Sequence, residues 1–590
     1  MTIDQITLFG LLVFVFVFLI WGRWRYDIVA FVALVLALLA GVVPSERAFS
    51  GFGHPATVVI ALVLIISRGL SNSGAIELIT RHAVDATRSL GRHIAVMSGL
   101  AAALSAVMNN VAALALLMPV DVQAASAARR SPSLTLMPIS FASILGGMVT
   151  LIGTPPNIVV AGYRADALGA PYEMFDFAPV GLVCVTVGIA FVTLIGWRLI
   201  PQREFSGDSE AGFDLAEYVA ELKVSSGSKL IGQRVRDLDP EADKADVEVI
   251  GLIRRGERMP GLARRIEIRA GDILVLEADP DRIDAALGAL GLEYVAADSK
   301  ALAEDDLALT EAVVPESSRL VGRSALSLRL LYRYGVALVG VSRESQRFRE
   351  RVRQLTIRPG DVLLMLGTGE RLADAATRLG VLPLRDRGQK VIQRQKASLA
   401  VGIFALGIAL ATMGLVKLHV ALACVAVALV LTNIVPLREL YTSIEWPVIV
   451  LLGSMIPIGE ALQTTGGTSL IAQGILDLGA GESPVVVLTL LVIATMTLSD
   501  VMNNTATAVI AAPIAVELAT RLGVSPDPFL MGVAVAASCA FLTPIGHKNN
   551  TLILGPGGYR FGDYWRMGLP LEILIVVVSV PTLLAVWPLY

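Results

Sequence analysis

Two long apolar blocks, residues 1–200 and 391–590, are the feature that most constrains how this chain can fold. Each block contains apolar runs of about 20 residues, the length that crosses the hydrocarbon core of a bilayer as an α-helix. Charged residues make up 17% of the 590-residue chain, whereas about 25% is usual in a soluble protein. The sequence therefore predicts an α-helical membrane protein, and its net charge of −3 argues against a nucleic-acid-binding role.

Apolar runs of the required length predict ten bilayer crossings, at 5–22, 28–45, 55–73, 136–162, 177–200, 397–415, 417–435, 446–465, 527–555 and 569–589. Two further apolar stretches, 94–123 and 484–518, are interrupted halfway by Met-Asn-Asn at 108–110 and 502–504. An unpaired asparagine cluster is costly in lipid, so such backbone must be buried in protein or line a cavity. We therefore expect both stretches to be re-entrant helical hairpins that do not cross the bilayer.

The distribution of Lys and Arg predicts the orientation of the chain in the membrane. With the N-terminus outside, the predicted cytoplasmic loops hold twelve arginines, whereas the external loops hold four basic residues. We therefore expect a multi-pass protein of a bacterial inner membrane with both termini outside. The polar insert between the two blocks, residues 201–390, is then expected in the cytoplasm.

The two apolar blocks are copies of each other. Residues 104–110 match 498–504 at an offset of 394, and residues 150–153 match 543–546 at an offset of 393. Because each block has five predicted crossings, an odd number, the second copy enters the membrane from the opposite side. The predicted fold is an inverted repeat of five spans plus one re-entrant hairpin each, an architecture of carriers that bind substrate at the repeat interface.

The residue types at the matched positions favour a binding site over a simple kink. In residues 153–157, Gly-Thr-Pro-Pro-Asn, two consecutive prolines cannot donate backbone hydrogen bonds, so the helix must break. A broken helix exposes N–H groups and the positive end of a helix dipole, which favour an anion. Asn and Thr side chains provide ligands for a carboxylate or sulfate, and freed carbonyls provide a cation site. A structural kink packed with small residues is the alternative, but paired tips and paired breaks favour the site.

At these residues the chain resembles the divalent anion:sodium symporter family of the ion transporter superfamily, whose members carry Ser-Asn-Thr hairpin tips and Gly-Thr-x-x-Asn breaks. The resemblance implies an elevator mechanism, in which the scaffold of a homodimer (about 5–73 and 397–465) holds a moving transport domain (about 76–200 and 470–590). It implies Na⁺ as the coupling ion, with ligands from Asn110, Gly153, Asn157, Asn504, Gly546 and Asn550. The substrate-binding residues that it implies are Asn109, Asn110, Thr154, Pro155, Asn157, Asn503, Asn504, Thr505, His547, Lys548 and Asn550.

Three features depart from the family pattern. The first tip reads Asn-Asn-Val at 109–111 and lacks the hydroxyls of Ser-Asn-Thr, which weakens the sodium site expected there. The second break carries His547 and Lys548, which either add positive charge for a dianionic substrate or, for Lys548, reach the cytoplasmic interface. Asp500 is the one acid in either hairpin tip. It either carries a coupled proton, pairs with Lys548 or caps the second hairpin helix, so sodium and proton coupling both stay open.

The polar insert contains a second repeat, with a period near 89, that divides it into residues 201–300 and 301–390. The Arg-x-Gly-Asp sequence at 269–272, for example, recurs at 358–361. Short β-branched strands end in Gly-Asp turns, and an amphipathic helix closes each copy, at 280–290 and 369–379. The insert resembles a tandem of TrkA-C (RCK-C) domains and is expected to form an inserted α/β tandem domain. That family binds small ligands, including nucleotides. The sequence assigns no ligand residues here, and no other cofactor is expected.

Together these features predict a secondary active transporter of a small divalent anion, of the dicarboxylate or sulfate class, regulated by the cytoplasmic insert. The alternative is a membrane-embedded anion sensor, or a channel-like protein, that signals through the TrkA-C-like domains. A channel is less favoured because the sequence contains no Thr-Val-Gly-Tyr-Gly filter. An enzyme is not expected, because the sequence shows neither a nucleophile–base set nor a cluster of metal-ligating residues.

Overall fold

The computed structural model describes residues 1–21, 24–73, 89–128, 130–201, 219–238, 248–254, 257–260, 266–277, 292–294, 307–343, 346–348, 352–384, 394–478 and 483–590. The chain divides into two compact units. One is Met1–Arg203 together with Gly388–Tyr590, and the other is Glu204–Arg387. The helix predicted at 280–290 lies outside the described residues.

In the first part of the larger unit, the described residues form eight α-helices. These are α1 (Ile3–Trp21), α2 (Tyr26–Leu39), α3 (Pro55–Asn72), α4 (Leu90–Ser105), α5 (Asn110–Ala127), α6 (Ser133–Gly147), α7 (Pro155–Leu168) and α8 (Ala178–Leu194). Short 3₁₀ helices occur at Ser45–Arg47, Ser50–Gly53 and Gly196–Leu199. Proline begins α3 and α7, where its fixed φ suits the first helical position and its missing N–H costs no hydrogen bond.

The smaller unit contains two five-stranded sheets with the same strand order. The first is formed by β1 (Val219–Val224), β2 (Glu248–Arg254), β3 (Glu257–Pro260), β4 (Ile273–Glu277) and β5 (Leu292–Tyr294), in the order β3-β2-β4-β1-β5. The second is formed by β6 (Leu307–Val313), β7 (Ala337–Arg343), β8 (Gln346–Phe348), β9 (Val362–Thr368) and β10 (Leu382–Pro383), in the order β8-β7-β9-β6-β10. The described helices of this unit are α9 (Ala325–Leu328), α10 (Leu330–Tyr334) and α11 (Gly369–Leu379), with 3₁₀ helices at Val235–Leu238 and Val352–Gln354.

Two details of the smaller unit correct the sequence prediction. All described strand pairs are antiparallel. The unit is therefore of the α+β class, and not of the α/β class, in which the strands are parallel. The Gly-Asp turns at 271–272 and 360–361 precede β4 and β9 instead of ending strands, because both glycines adopt a positive φ that turns the chain into the strand. The helix predicted at 369–379 is present as α11.

In each sheet of the smaller unit, a partly exposed arginine pairs with a buried aspartate. The Arg254 guanidinium donates to both carboxylate oxygens of Asp272, at 2.8 and 2.7 Å. Arg343 does the same to Asp361, 89 residues further on, at 2.8 Å to each oxygen. Burial by itself would raise the pKa of the Asp272 carboxyl, but the hydrogen bonds from Arg254 and from a backbone N–H hold that pKa below its ordinary value.

In the second part of the larger unit, the described residues form ten α-helices. These are α12 (Arg394–Thr412), α13 (Leu418–Leu431), α14 (Leu437–Leu440), α15 (Trp446–Thr464), α16 (Gly467–Leu478), α17 (Pro484–Ser499), α18 (Asn504–Leu522), α19 (Asp527–Ser538), α20 (Lys548–Leu554) and α21 (Tyr564–Val586). A 3₁₀ helix, Phe561–Asp563, precedes α21. Two of the predicted spans, 136–162 and 527–555, are therefore each divided into two helices by an unwound segment.

Five helices of the described residues are long and apolar enough to cross a bilayer, judged by length and composition. They cover Ser45–Asn72, Asn110–Ala127, Trp446–Thr464, Asn504–Leu522 and Phe561–Val586, and eight shorter apolar helices accompany them. Two of the five are the second arms of the predicted hairpins. Their partners, α4 and α17, each lead into a tight turn of four residues, 106–109 and 500–503. The number of crossings stays a prediction.

Glycine allows close packing where the unwound segments meet the helices. A Cβ atom at Gly146 would lie 2.3 Å from the carbonyl oxygen of Ala102, which brings α6 directly against α4. Similarly, a Cβ at Gly568 would lie 2.3 Å from the carbonyl oxygen of Phe541. The ring of Phe541 packs on that of Phe141, with centroids 4.7 Å apart, and both rings are fully buried. The unwound segments thus lie in the core of the larger unit.

Candidate site at the hairpin tips and helix breaks

Each hairpin tip is held on the helix break of its own block by one threonine. The Thr150 hydroxyl donates to the carbonyl oxygen of Ala106, and the Thr543 hydroxyl donates to that of Asp500, both at 2.5 Å. Glycine makes this contact possible, because a Cβ at Gly546 would lie 2.7 Å from the carbonyl oxygen of Ser499. The tips and breaks that the sequence matched in pairs therefore also make matching contacts.

Asn157 and Asn550 brace the unwound segments from the helices that follow them. The amide of Asn550 donates to the carbonyl oxygens of Ala540 and Thr543, at 2.9 and 3.1 Å. The amide of Asn157 donates to the carbonyls ten and seven residues before it, at 3.5 and 2.8 Å. Both asparagines are buried. Their N–H groups are thus engaged with backbone carbonyls, and the amide oxygen of Asn550 accepts a hydrogen bond from the Ser140 hydroxyl at 3.0 Å.

The first hairpin tip also contacts the second helix break. The side-chain amide of Asn110 lies 3.3 Å from Nε2 of His547 and 2.6 Å from the hydroxyl of Ser105. The Nδ1 atom of His547 accepts a hydrogen bond from the backbone N–H of Asn549, so a neutral ring carries its proton on Nε2. That proton needs an acceptor. The Ser105 hydroxyl donates to the Asn110 oxygen, so the Asn110 NH₂ group faces His547, and exchange of the amide oxygen and nitrogen gives the Nε2 proton its acceptor.

A second residue of the break, Asn549, extends this contact. Its amide donates to the carbonyl oxygen of Asn110 at 3.3 Å and to the hydroxyl of Ser143 at 3.2 Å. The Ser143 hydroxyl in turn donates to the same carbonyl at 3.0 Å. The Asn549 amide oxygen is buried and has no hydrogen-bond partner. It is therefore available to a ligand that donates a hydrogen bond or carries positive charge.

The second tip is arranged differently from the first. Asn503 and Asn109 both cap the helix that follows them, each accepting from the backbone N–H two residues on. Asn504, however, turns its oxygen toward the backbone N–H of Thr505 in its own helix, at 2.8 Å.

At the first break, Thr154 takes the N-cap position before Pro155, and its buried hydroxyl has no hydrogen-bond partner. That hydroxyl is a donor free to bind an anion.

The structure corrects two interpretations of Asp500. Lys548 forms its ion pair with Glu445, at 2.6 Å, and lies 5.9 Å from the centre of the Tyr26 ring. Asp500 does not pair with Lys548, because its carboxylate instead accepts from the backbone N–H of Leu542 at 2.9 Å. Nor does Asp500 cap the second hairpin helix, since Asn503 occupies that position. In the hairpin tip the carboxylate faces the unwound segment instead.

Several polar residues at the site were missed by sequence reasoning. Ser140 and Ser143 bond to the tips and breaks, but a hydroxyl in an apolar helix gives no distinctive signal. Asn549 lies within the predicted break, between the predicted ligands Lys548 and Asn550. Glu572 is different, because an acid within the 23-residue apolar helix α21 should have been singled out as costly in a membrane. Within the described residues, no group of three or more His, Cys, Asp or Glu side chains could hold a metal ion.

The sequence profile of the citrate transporter family, CitMHS, matches residues 16–489 and 478–590, which together cover nearly the whole chain. This chain belongs to the CitMHS family. It is accordingly a multi-pass helical membrane transporter. This confirms the class of protein that the tips and breaks indicated, a membrane transporter.

Two full-length relatives agree with membership of the CitMHS family. An uncharacterized transporter of Synechocystis is 31% identical over 97% of this chain and 95% of its own length. The uncharacterized transporter YfbS of Escherichia coli is 31% identical over 96% of each chain. A sodium/sulfate cotransporter of Chlamydomonas reinhardtii is 21% identical over 94% of this chain and 87% of its own. These alignments therefore include the insert as well as both membrane blocks.

Proposed function

We propose that this CitMHS-family protein is a secondary active transporter of a small divalent anion, of the dicarboxylate or sulfate class. The observation that carries the proposal is the contact of Asn110 with His547, which joins the first hairpin tip to the second helix break. Two matched tips and two matched breaks meeting around buried amide and hydroxyl groups form the kind of midplane site that such carriers use. The family description and the sodium/sulfate relative support the substrate class.

The anion is proposed to bind at the N-terminal ends of the helices after the tips and breaks. Helices α5, α7 and α18 begin at Asn110, Pro155 and Asn504, so the positive ends of three helix dipoles are available to the anion. The first turns of α5 and α18 also leave N–H groups without helical partners, whereas the two prolines that begin α7 have no N–H to donate. The free hydroxyl of Thr154 adds a donor. The positive charge of Lys548 is balanced by Glu445, so binding of a dianion depends mainly on these neutral donors and helix dipoles.

Ion pairs support the proposed division into a scaffold and a moving transport domain. Arg68 pairs with Glu439 at 3.1 Å inside the proposed scaffold, and Arg164 pairs with Asp527 at 2.7 Å inside the proposed transport domain. Both pairs join one sequence block to the other, so each body is built from both halves. In this elevator mechanism the transport domain carries the bound anion across while the scaffold forms the homodimer.

Coupling to Na⁺ or to protons is proposed to power uptake. For Na⁺, backbone and side-chain oxygens near Asn110, Gly153 and Asn157, and their counterparts near Asn504, Gly546 and Asn550, are the proposed ligands. Val111 offers no hydroxyl at the first tip, so that sodium site would depend on carbonyl oxygens. The asparagine amides engage several of these carbonyls, which favours weak sodium dependence at the first site.

The smaller unit is proposed to act as a cytoplasmic TrkA-C-like pair that senses a small ligand, with nucleotides as the candidate class. Two sheets of identical strand order with the same Arg–Asp pair support a tandem of one domain type. A ligand bound there can bias transport only through different affinities for the transport states. The protein would lie in a bacterial inner membrane with both termini outside.

Reconstituted flux is the experiment that tests the proposed function. The full-length protein in proteoliposomes should accumulate labelled sulfate or citrate against its gradient when an inward sodium or proton gradient is imposed. Uptake should be saturable and competed by the unlabelled anion. Binding of the anion without flux would instead favour the sensor, and flux that passively follows voltage without saturation would favour a channel.

A further inference from the structure

Two buried carboxyl groups from different helices meet on the second unwound segment. Glu572 of α21 accepts a hydrogen bond from the backbone N–H of Phe541 at 3.2 Å. Asp500, at the base of the second hairpin tip, accepts from the next N–H, that of Leu542, at 2.9 Å. Because these two N–H groups are consecutive, the carboxyl groups lie side by side and interact directly.

Neither carboxyl group has a basic partner among the described residues. Asp500 is 2% exposed and Glu572 is 6% exposed. One oxygen of Asp500, Oδ2, is buried and has no hydrogen-bond partner at all. Two adjacent negative charges removed from water would be strongly unfavourable without a cation or a proton. The unpartnered Oδ2 atom is a second, independent indication that the pair binds a proton or a cation.

The neighbouring elements bring no counter-charge to the pair. Helices α6, α8 and α17 contain no charged residue. Helix α19 contributes Asp527, which pairs with Arg164 instead. Helix α21 carries the exposed Arg566 six residues before Glu572, and the two 3₁₀ helices that pack against α21 carry the exposed Arg198 and the buried Asp563. The remaining titratable groups nearby are the buried thiols of Cys539, on the unwound segment, and Cys184, which faces it from α8.

The pair exists in one sequence block and not in the other. The match between the blocks places Ala106 opposite Asp500. Gly181 and Gly568 make equivalent close contacts, with the carbonyl oxygens of Met148 and Phe541. Counting four residues on from each glycine sets Val185 opposite Glu572. Both carboxyl groups are therefore added to a framework that folds without them in the first block, which argues for a function other than packing.

We propose that Asp500 and Glu572 form a single site that binds one proton, and that this proton is the one coupled to anion transport. The inference rests on the proposed function. The proton comes from water on one side of the membrane, is shared between Asp500 Oδ2 and the Glu572 carboxyl, and returns to water on the other side. No other group changes its charge. Binding removes one of two negative charges at the base of the second tip, so it favours the approach of an anion there.

Protonation of the carboxyl pair acts on the anion site through the second unwound segment. The backbone carbonyl of Asp500 accepts from Thr543, and three residues further along the unwound segment lies Gly546, which packs on the same tip. His547 follows and contacts Asn110 of the first tip. A change of charge at the carboxyl pair therefore acts on a segment that connects both tips. Glu572 is thus a positioning and coupling residue, and it does not touch the proposed anion.

Infrared difference spectroscopy tests the shared proton without any transported anion. Purified full-length protein in lipid, titrated with pH, should show a carboxylic-acid band that shifts in deuterium oxide. Asp500→Asn and Glu572→Gln should each remove that band, whereas Glu517→Gln, which removes an acid already paired with Arg521, should retain it. A band unchanged in both variants would overturn the proposal. So would stabilisation by sodium that disappears in Asp500→Asn, because the pair would then be a cation site.

Flux measurements connect the site to coupling. In proteoliposomes, both amide variants should lose uptake driven by a proton gradient and keep downhill exchange of the anion. Variants that keep gradient-driven uptake would refute the coupling role, while a wild-type protein that moves no sulfate or citrate would refute only the proposed function. If an amide variant fails to fold, Glu572→Asp serves instead, since it keeps an acid and should shift the midpoint of the infrared titration.

Discussion

His547 Nε2 lies 3.3 Å from the side-chain amide of Asn110, although 437 residues separate the two along the chain. The contact joins the first hairpin tip to the second helix break, and Asn549 adds a hydrogen bond to the carbonyl oxygen of Asn110. Because the break belongs to one block and the tip to the other, the second block completes the candidate site at the first tip.

Removing the tip amides should abolish transport. Asn110→Ala and Asn504→Ala are each expected to eliminate saturable anion uptake, because each removes a polar group from a helix N-terminus at the site. Asn110→Ala should also destabilise the protein by about 1–3 kcal/mol, since it leaves buried partners unsatisfied. Proteoliposome uptake and thermal unfolding measure the two effects. Gln473→Ala, an exposed amide paired with Arg521, should leave uptake intact, and normal uptake in both tip variants would contradict the site.

Adding one methyl group at the second break should loosen the second tip. Gly546→Ala places a Cβ 2.7 Å from the carbonyl oxygen of Ser499, and backbone cannot move aside cheaply. We expect a stability loss of about 1–3 kcal/mol, typical of overpacking, together with a reduced rate of uptake. Gly562→Ala is the matched control, because its Cβ would have no atom within 4 Å. Equal melting temperatures for the two variants would show that the tip is not held at this contact.

The Lys548–Glu445 pair joins the proposed transport domain to the proposed scaffold and should therefore affect rate. Lys548→Gln and Glu445→Gln are each expected to change the rate of uptake without changing substrate selectivity. The pair is partly exposed, so its coupling energy in a double-mutant cycle should be about 0.2–1 kcal/mol. Arg164→Gln, which breaks a pair inside one body, should lower stability and leave the rate much less affected. Additive effects at 548 and 445 would contradict an interaction across the boundary.

The lowered pKa of Asp272 makes the first sheet of the smaller unit sensitive to acid. Its folded-state pKa lies below the unfolded value of about 3.9, so the stabilisation is complete above that pH and is lost as the pH falls through the folded pKa. Asp272→Asn should cost about 1–3 kcal/mol near neutral pH. Hydrogen exchange of peptides 219–277 in the full chain measures the change. Asp374→Asn, in an exposed pair, should have little effect, and equal protection in both variants would refute the prediction.

Replacing residues 210–385 with a flexible linker tests the role of the smaller unit. The anion selectivity should be unchanged, because every contact that defines the candidate site is made within the larger unit. The rate of uptake, or its response to added nucleotides, should change. Competition assays with sulfate, citrate and other anions give the selectivity profile. A different profile in the shortened protein would place part of the transport pathway in the insert.

The sequence alone predicted the local features of this protein. The apolar runs, the Asn pairs at 109–110 and 503–504 and the prolines at 155–156 act through neighbouring backbone, so their positions are visible in one dimension. The helix breaks follow directly, whereas the cap of α18 does not, because Asn503 takes the position for which the sequence offered Asp500. The period of 89 in the insert likewise anticipated two copies of one strand-and-turn unit, and the structure adds that the matched arginines and aspartates form ion pairs.

Tertiary structure alone decided which polar groups face one another. Asp500 had three interpretations from sequence, and the fold turned it toward the Leu542 N–H and Glu572 rather than toward Lys548. Lys548 pairs with Glu445, which lies about a hundred residues earlier in the chain. Sequence spacing carries no record of such pairings, because they arise when helices from both blocks pack at angles set by distant side chains. The partners of a buried charge are determined by that packing, and with them its chemistry.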